Sequence, residues 1–138
     1  MKNLLKGQKM KNLFKILLVS GILLGGNVFL NAKEIYLSQQ TIKDYSVNVK
    51  VYDNLEIGNN EVNVKILYKT KILKNADVTL KLYKPNGEMV EYKSNIVNDK
   101  NNYVFNINIP ENGEYKYVVT YNVMKGGVTR NSKGSFKL

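Results

Sequence analysis

Short runs in which apolar and polar residues alternate are the feature that most limits how this chain folds. Alternation with a period of two places successive side chains on opposite faces of a β-strand. No segment after residue 32 keeps a helical period over more than two turns, so the sequence excludes a helical domain. The alternation predicts about seven strands, at 45–52, 61–68, 76–82, 89–92, 103–109, 115–121 and 135–138.

Residues that favour turns separate these runs. Pro85 sets the backbone for a reversal and Gly87 accepts a positive φ at little cost, so 84–88 is predicted to join two antiparallel strands. Short strands at this spacing predict an all-β, immunoglobulin-like sandwich of two antiparallel sheets. The turn segments are 58–60, 84–87, 98–102, 110–113 and 125–127.

The N-terminal segment 1–32 has the zones of a secretion signal. Its basic front is followed by an uncharged stretch, Ile16–Leu30, and the small residue Ala32 offers a cleavage site. At about 15 residues the uncharged stretch is shorter than the roughly 20 that cross a bilayer as a helix. We therefore predict a signal-peptide helix and no stable membrane anchor after its removal.

This interpretation divides the chain into a signal peptide at 1–32, an N-terminal linker at 33–44 and a β-sandwich domain at 45–138. The expected location is outside the cytoplasm, either periplasmic or extracellular. The signal segment also holds five lysines and no acid, so its removal lowers the formal charge from +10 to +5. Lysines that remain are mixed with acids, which argues against a nucleic-acid partner.

The chain has no cysteine and no histidine. It therefore has no disulfide, no thiolate metal site and no imidazole base, and Ser-His-Asp and Cys-His catalysis are excluded. Carboxylates remain, but they are scattered among turns and outward strand positions, and Glu88 and Glu91 are interpreted as solvated charges on an edge strand. We predict that the protein is not an enzyme and needs no cofactor.

Two places in the sequence carry residue types that bind metal ions in other proteins. The loop Asn98–Asn102 is rich in oxygen ligands suited to calcium, but Lys100 lies in its middle. Met89 and Met124 are the methionines that survive cleavage, and they lie on separate segments. We predict that no residue serves as a metal ligand.

The ten tyrosines suggest two interpretations. Tyrosine is a good strand former, which accounts for most of these positions. The alternative is an amphipathic binding face built from Tyr52, Tyr83 and Tyr92, which fall on the polar phase or at strand ends.

The stretch from Ile57 to Met124 resembles the YtkA-like family of exported bacterial domains, which is related to the FixH-like proteins. The resemblance lies in Gly58-Asn59-Asn60 before a strand, in 75–83, where Ala76 opens a strand, and in the closing segments 102–110 and 113–119. The family implies an immunoglobulin-like sandwich and possible metal handling. Members often carry a Met- or His-rich segment after the alanine strand, whereas this chain has one methionine at that place.

Five of the matching residues have structural uses of their own. Gly58 permits a sharp turn into a strand, and Ala76 is small enough to lie where two sheets approach closely. Pro110 and Gly113 turn a corner between the sheets, and Tyr115 is placed for a tyrosine corner, in which the phenol bonds to nearby backbone.

Two functions follow as hypotheses. The first is a non-enzymatic binding or accessory module of the bacterial cell envelope, with an envelope protein as its partner. The alternative is a copper carrier or accessory factor for assembling a membrane metalloenzyme, as the family resemblance implies.

Overall fold

The computed structural model describes residues 32–123 and 128–138. All regular structure in this part of the chain is β-strand, in agreement with the predicted all-β class. No helix in these residues is long and apolar enough to span a membrane. The strands are β1 (Glu34–Ile42), β2 (Tyr45–Tyr52), β3 (Gly58–Tyr68), β4 (Lys71–Ile72), β5 (Asp77–Tyr83), β6 (Met89–Ser94), β7 (Tyr103–Ile109), β8 (Glu114–Asn122) and β9 (Thr129–Lys137).

The strands form two antiparallel sheets, which confirms the predicted sandwich. Sheet A has the order β9-β8-β5-β6. Sheet B has the order β1-β2-β3, with β7 and the short β4 both paired to β3. Because β3 is 11 residues long, its first half pairs with β7 and its last two residues pair with β4.

The core lies between the sheets and consists of the inward residues of the alternating runs. In β2 and β7 every second residue is buried, as the period of two requires. Tyr103, Tyr115 and Tyr117 are among the largest buried side chains, so tyrosine is a core residue in this protein. The other buried apolar residues include Val47, Val49, Val51, Val62, Val64, Ile66, Ala76, Val78, Leu80, Leu82, Phe105, Ile107, Ile109, Val119, Tyr121 and Phe136.

The predicted linker 33–44 is wrong for most of its length. Glu34–Ile42 forms β1, which pairs antiparallel with β2 along its length. The strand is hard to recognise because Ser38, Gln39 and Gln40 interrupt the apolar alternation and a bulge shifts the register between Tyr36 and Ser38. Its backbone bonds to the edge of β2 stabilise it, while most of its side chains stay exposed.

Further strand boundaries differ from the expectation, and β3 begins at Gly58, so the predicted turn 58–60 belongs to that strand. β4 has only two residues, too few to show a period. β9 begins at Thr129 and not near residue 135, because polar residues occupy its first half while its backbone still pairs with β8. The predicted signal helix and Met124 lie outside the described residues, with the exception of Ala32 at the end of the signal segment.

Tyrosine hydroxyls bond to backbone at two places in the core. The Tyr103 hydroxyl donates to the Leu73 carbonyl oxygen at 2.6 Å and accepts from the Ala76 N–H at 2.9 Å. Tyr115 donates to the Glu111 carbonyl oxygen at 2.7 Å, which is the bond that defines a tyrosine corner. Desolvation by burial raises the pKa of Tyr103, so this hydroxyl stays protonated at neutral pH.

The corner before Tyr115 requires glycine. Gly113 has a φ of +142°, and a Cβ at this position would lie 2.6 Å from the side chain of Pro85. Its N–H and C=O both bond to Leu138, which ties the last residue of the chain to the corner. Gly58, with a φ of +109°, begins β3 beside this end of the sandwich.

Tyrosines also connect the sheets at both open sides of the sandwich. Tyr117 of β8 lies over Gly134 of β9, where a Cβ would collide with its ring, and donates to Ser38 of β1 at 2.8 Å. On the other side, the Tyr92 hydroxyl of β6 accepts from the Asn108 N–H of β7 at 3.3 Å. Each of these phenols joins sheet A to sheet B.

The substitution Tyr103→Phe tests the buried hydroxyl. We expect the free energy of unfolding to fall by about 1–3 kcal/mol, because the Leu73 carbonyl and the Ala76 N–H lose their partner while the ring still fills the core. Urea denaturation followed by circular dichroism measures the change. Tyr36→Phe is the control, since Tyr36 is 52% exposed and its hydroxyl makes no hydrogen bond to a described residue. An equal effect in both variants would contradict the assignment.

Candidate functional site

Two cross-strand pairs from opposite sheets meet at one end of the sandwich. In sheet B, Tyr45 of β2 lies opposite Tyr68 of β3. In sheet A, Tyr121 of β8 lies opposite Arg130 of β9. The rings of Tyr45 and Tyr121 are 6.2 Å apart between centroids, so the two pairs face each other across the gap between the sheets. We call this group of four side chains the tyrosine–arginine cluster.

The cluster has close aromatic and cation–π contacts. The rings of Tyr45 and Tyr68 are 5.0 Å apart and inclined at 53°, within the range of favourable aromatic pairs. The guanidinium carbon of Arg130 lies 4.1 Å from the centroid of Tyr45. Such a contact contributes about 0.5–2 kcal/mol, depending on its exposure to solvent. The arginine is therefore held against an aromatic face and is not a freely moving surface side chain.

These residues line a cleft of about 560 Å³. Clefts of roughly 300–1,000 Å³ are the usual size for small-ligand sites. The walls combine apolar ring faces with hydroxyl, amide and charged groups, which is the composition of a binding pocket. The remaining lining residues are Ile42, Lys43, Asp44, Thr129 and Asn131.

Two turns of sheet B form the rim of the cleft. Lys43 and Lys69 each adopt a positive φ, of 57° and 55°, which lets the chain reverse tightly after β1 and after β3. The Lys69 N–H donates to the Asp44 carbonyl oxygen at 2.6 Å and so ties one turn to the other. The rim is thereby held by backbone contacts rather than by mobile side chains.

The charge at this end is mostly positive. Lys69 lies 5.6 Å from the Tyr68 ring centroid, and Lys71 is opposite Tyr68 in the strand register. Asp44 is the one carboxylate among the residues that line the cleft. Arg130 forms no ion pair with a carboxylate of residues 32–123 or 128–138. Its charge is balanced by aromatic faces and solvent.

Burial and the charge of Arg130 act in opposite directions on the pKa of Tyr121. Desolvation raises the pKa of this phenol, and the positive charge of Arg130 partly offsets that rise. Tyr45 adds a smaller increase. The hydroxyl therefore remains protonated at neutral pH and can donate or accept a hydrogen bond in the cleft.

Two other concave regions lack this combination. One, of about 480 Å³, lies between Asp77–Thr79 and Lys93–Asn95. The other, of about 400 Å³, lies beside Tyr83 and Pro85 at the opposite end of the sandwich. Within the described residues, no ring pair or cation–π contact falls in either region. The tyrosine–arginine cleft is the strongest candidate site.

The residues that the sequence marked as structural lie away from the cleft. Gly58, Pro110, Gly113 and Tyr115 lie at the opposite end, where β7 passes to β8. Ala76 is buried at the start of β5 and bonds through its N–H to Tyr103. None of these five residues lines the cleft.

The sequence pattern does not mark the cleft residues as a binding site. Tyr45, Tyr68 and Tyr121 continue the apolar phase of their strands, and this made them indistinguishable from core. Arg130 is the single arginine of the chain, which is the one sequence signal that sets it apart.

The alternative binding face, Tyr52, Tyr83 and Tyr92, is not formed. Tyr52 belongs to sheet B, whereas Tyr83 and Tyr92 belong to sheet A. In the parts of the chain that the structure describes, none of these rings pairs with another ring.

The residues of the two candidate metal sites make other contacts or lie exposed. The Asn98 side-chain oxygen accepts the N–H groups of Lys100 and Asn102, at 2.9 and 3.0 Å, and so stabilises its own turn. Met89 is exposed on β6, the edge strand of sheet A. Over 32–123 and 128–138, no group of three or more acidic, histidine or cysteine side chains is placed to hold an ion.

The two edge carboxylates are separately paired. Glu88 lies 3.5 Å from Lys84, and Glu91 lies 4.0 Å from Lys81. Both pairs have partly exposed members and contribute little to stability.

The fold and the cleft define a class: a small antiparallel β-sandwich with an aromatic, cationic cleft at one end. The family model for YtkA-like proteins matches residues 39–120, which is more than half of the chain. The chain therefore belongs to the YtkA-like family, as its resemblance indicated. Searches of curated proteins and of solved structures found no match.

Removal of the Arg130 charge should change the ionisation of Tyr121. In Arg130→Gln we expect the pKa of Tyr121 to rise further, because the cation that favours the phenolate is lost while burial remains. NMR of protein labelled with ¹³C at the tyrosine Cζ measures this, with pH raised from about 9. Lys133→Gln, which removes an exposed charge from the same strand, should leave the Tyr121 pKa unchanged. The same pKa in wild type and Arg130→Gln would show that the two side chains are apart in solution.

Proposed function

We propose that this protein is an exported, non-enzymatic binding or accessory module of the bacterial cell envelope, and that it binds through the tyrosine–arginine cleft. The observation that carries the proposal is the contact of Arg130 with Tyr45, 4.1 Å apart, in a cleft that joins both sheets. Tyrosine and arginine are the residue types that contribute most at binding surfaces.

The residue types of the cleft support binding rather than turnover. Acid–base catalysis uses a pair of groups with matched proton affinities, most often including histidine or two carboxylates. The cleft is lined by one carboxylate, Asp44, together with phenols, lysine, arginine and amide groups. Phenol hydroxyls and a guanidinium are suited to hold a ligand by hydrogen bonds and ring contacts.

Export is supported by the N-terminal sequence. A basic front and an uncharged stretch precede Ala32, which is the arrangement of a secretion signal. A domain without cysteine is indifferent to the oxidising conditions found outside the cytoplasm. Within the domain, β1 begins beside the end of β2, at the end of the sandwich opposite to the cleft.

Expression of the full chain in a bacterial host tests the export. We expect the protein to be recovered from the periplasm or medium with Lys33 as its first residue, because Ala32 is the small residue before the proposed cleavage site. Intact-mass measurement of each cell fraction identifies the product. Replacing Ile16–Leu30 with a polar linker of equal length should keep the protein in the cytoplasm. Full-length wild-type protein in the cytoplasm alone would contradict the export.

Photocrosslinking tests the cleft as the binding surface. A photoreactive benzoyl-phenylalanine is placed at Tyr68 or at Tyr83, which are both 36% exposed but lie at opposite ends of the sandwich. After irradiation in the native envelope, we expect adducts at position 68 and few at position 83. Intact-mass analysis detects small ligands as well as proteins.

Arg130→Gln in the position-68 protein should lower the adduct yield, since the cation lines the same cleft. Equal yields at both positions, or no loss with Arg130→Gln, would exclude the cleft as the binding surface.

A further inference from the structure

We propose that the tyrosine–arginine cleft recognises a carboxylate attached to a flat apolar group, such as an aromatic carboxylic acid or an aromatic residue at the C terminus of a peptide. This inference rests on the proposed binding function and specifies the ligand. The juxtaposition that carries it is Arg130 over Tyr45, opposite the partly exposed ring of Tyr68.

Among the residues that the structure describes, few hydrogen-bond acceptors engage the guanidinium of Arg130. It carries five N–H donors in a planar fork, a shape that matches the two oxygens of a carboxylate. The one hydrogen bond that it donates to a described residue is from Nη1 to the Val128 carbonyl oxygen, at 3.5 Å, which is long for such a bond. Contact with Tyr45 limits its movement, so less conformational entropy is lost when a carboxylate binds.

The surrounding charge favours an anion. Lys43 lines the cleft, Lys69 lies over Tyr68 and Lys71 follows in the register, whereas Asp44 is the single lining carboxylate. Positive groups that converge on a concave site raise the local concentration of anions. Asp44 in the same cleft lowers this positive excess and repels a dianion more strongly than a singly charged carboxylate.

The rings supply the contact for the rest of the ligand. Tyr45 is inclined at 53° to Tyr68 and at 52° to Tyr121, so the three rings form a wedge and not a flat platform. A wedge accepts one flat group against a ring face, whereas a sugar chain usually lies along an open row of rings. The volume of about 560 Å³ is enough for one such group with its carboxylate.

Titration of the ¹⁵N-labelled exported protein with four probes tests the inference. These are phenylacetate, the tripeptide Gly-Gly-Phe with a free carboxylate, the same tripeptide as its C-terminal amide, and phenyl phosphate. We expect phenylacetate or the free tripeptide, or both, to shift the Arg130 Nε–H signal and the backbone signals of Tyr68 and Tyr121. The amide should bind about tenfold or more weakly, since it cannot accept the paired charged hydrogen bonds.

Three variants test whether the probes bind through the residues of the cleft. Arg130→Lys keeps the charge but removes the fork, and should weaken carboxylate binding about tenfold. Tyr68→Leu removes the exposed ring and should weaken the aromatic probes while the protein stays folded, as shown by dispersed amide signals. Lys133→Gln, on the same strand as Arg130 and outside the cleft, should leave binding unchanged.

The relative affinities of the tripeptide and phenylacetate distinguish the two sources of the carboxylate. Tighter binding of the tripeptide indicates a peptide C terminus, and equal or tighter binding of phenylacetate indicates a small acid. Measurable and equal binding of the tripeptide and its amide, tighter binding of phenyl phosphate than of either carboxylate probe, or no binding of either carboxylate probe would overturn the inference. In that case, cleft-specific photocrosslinks at position 68 would still support the proposed function, and their absence would remove both.

Discussion

The two sheets must be held together without a disulfide bond, because the chain has no cysteine. Burial of inward apolar side chains provides the main free energy, and tyrosine takes much of the interior volume. A phenol hydroxyl that is shielded from solvent is destabilising unless it has a hydrogen-bond partner. Tyr103, Tyr115 and Tyr117 each have one, and Tyr117 with Tyr92 joins the sheets at the two open sides. These hydroxyl bonds fix the relative position of the sheets on which the cleft depends.

The cleft is a consequence of this arrangement rather than an addition to it. Tyr45 and Tyr121 continue the inward phase of β2 and β8, and at the end of the sandwich the same phase lines a gap that no further core residue fills. The register of β9 on β8 then places Arg130 beside Tyr121. A shift of one residue would send the arginine to the other face of the sheet. Strand pairing therefore determines the chemistry of the site.

Much of the fold follows from the sequence, because core strands such as β2 and β7 alternate without interruption. The strand β1 could not be predicted from the sequence, because its polar residues and its bulge hide the period and its pairing depends on the edge of β2. The cleft could not be predicted either. Whether Tyr45 lies in the core or in a cleft depends on which strand of the other sheet faces it, and no local pattern contains that information. Arg130 lies outside every predicted strand because polar residues hide the period in the first half of β9.

Packing of the two sheets forms the tyrosine–arginine cleft before any ligand is present. Nuclear Overhauser effects in the ligand-free domain measure this directly. We expect strong effects between the ring protons of Tyr45 and Tyr121, and between the Tyr45 ring and the Arg130 Hδ protons. The two ring centroids are 6.2 Å apart, and the Arg130 guanidinium carbon lies 4.1 Å from the Tyr45 centroid. Strong core effects around Tyr103 and Tyr117 without any effect between Tyr45 and Arg130 would contradict it.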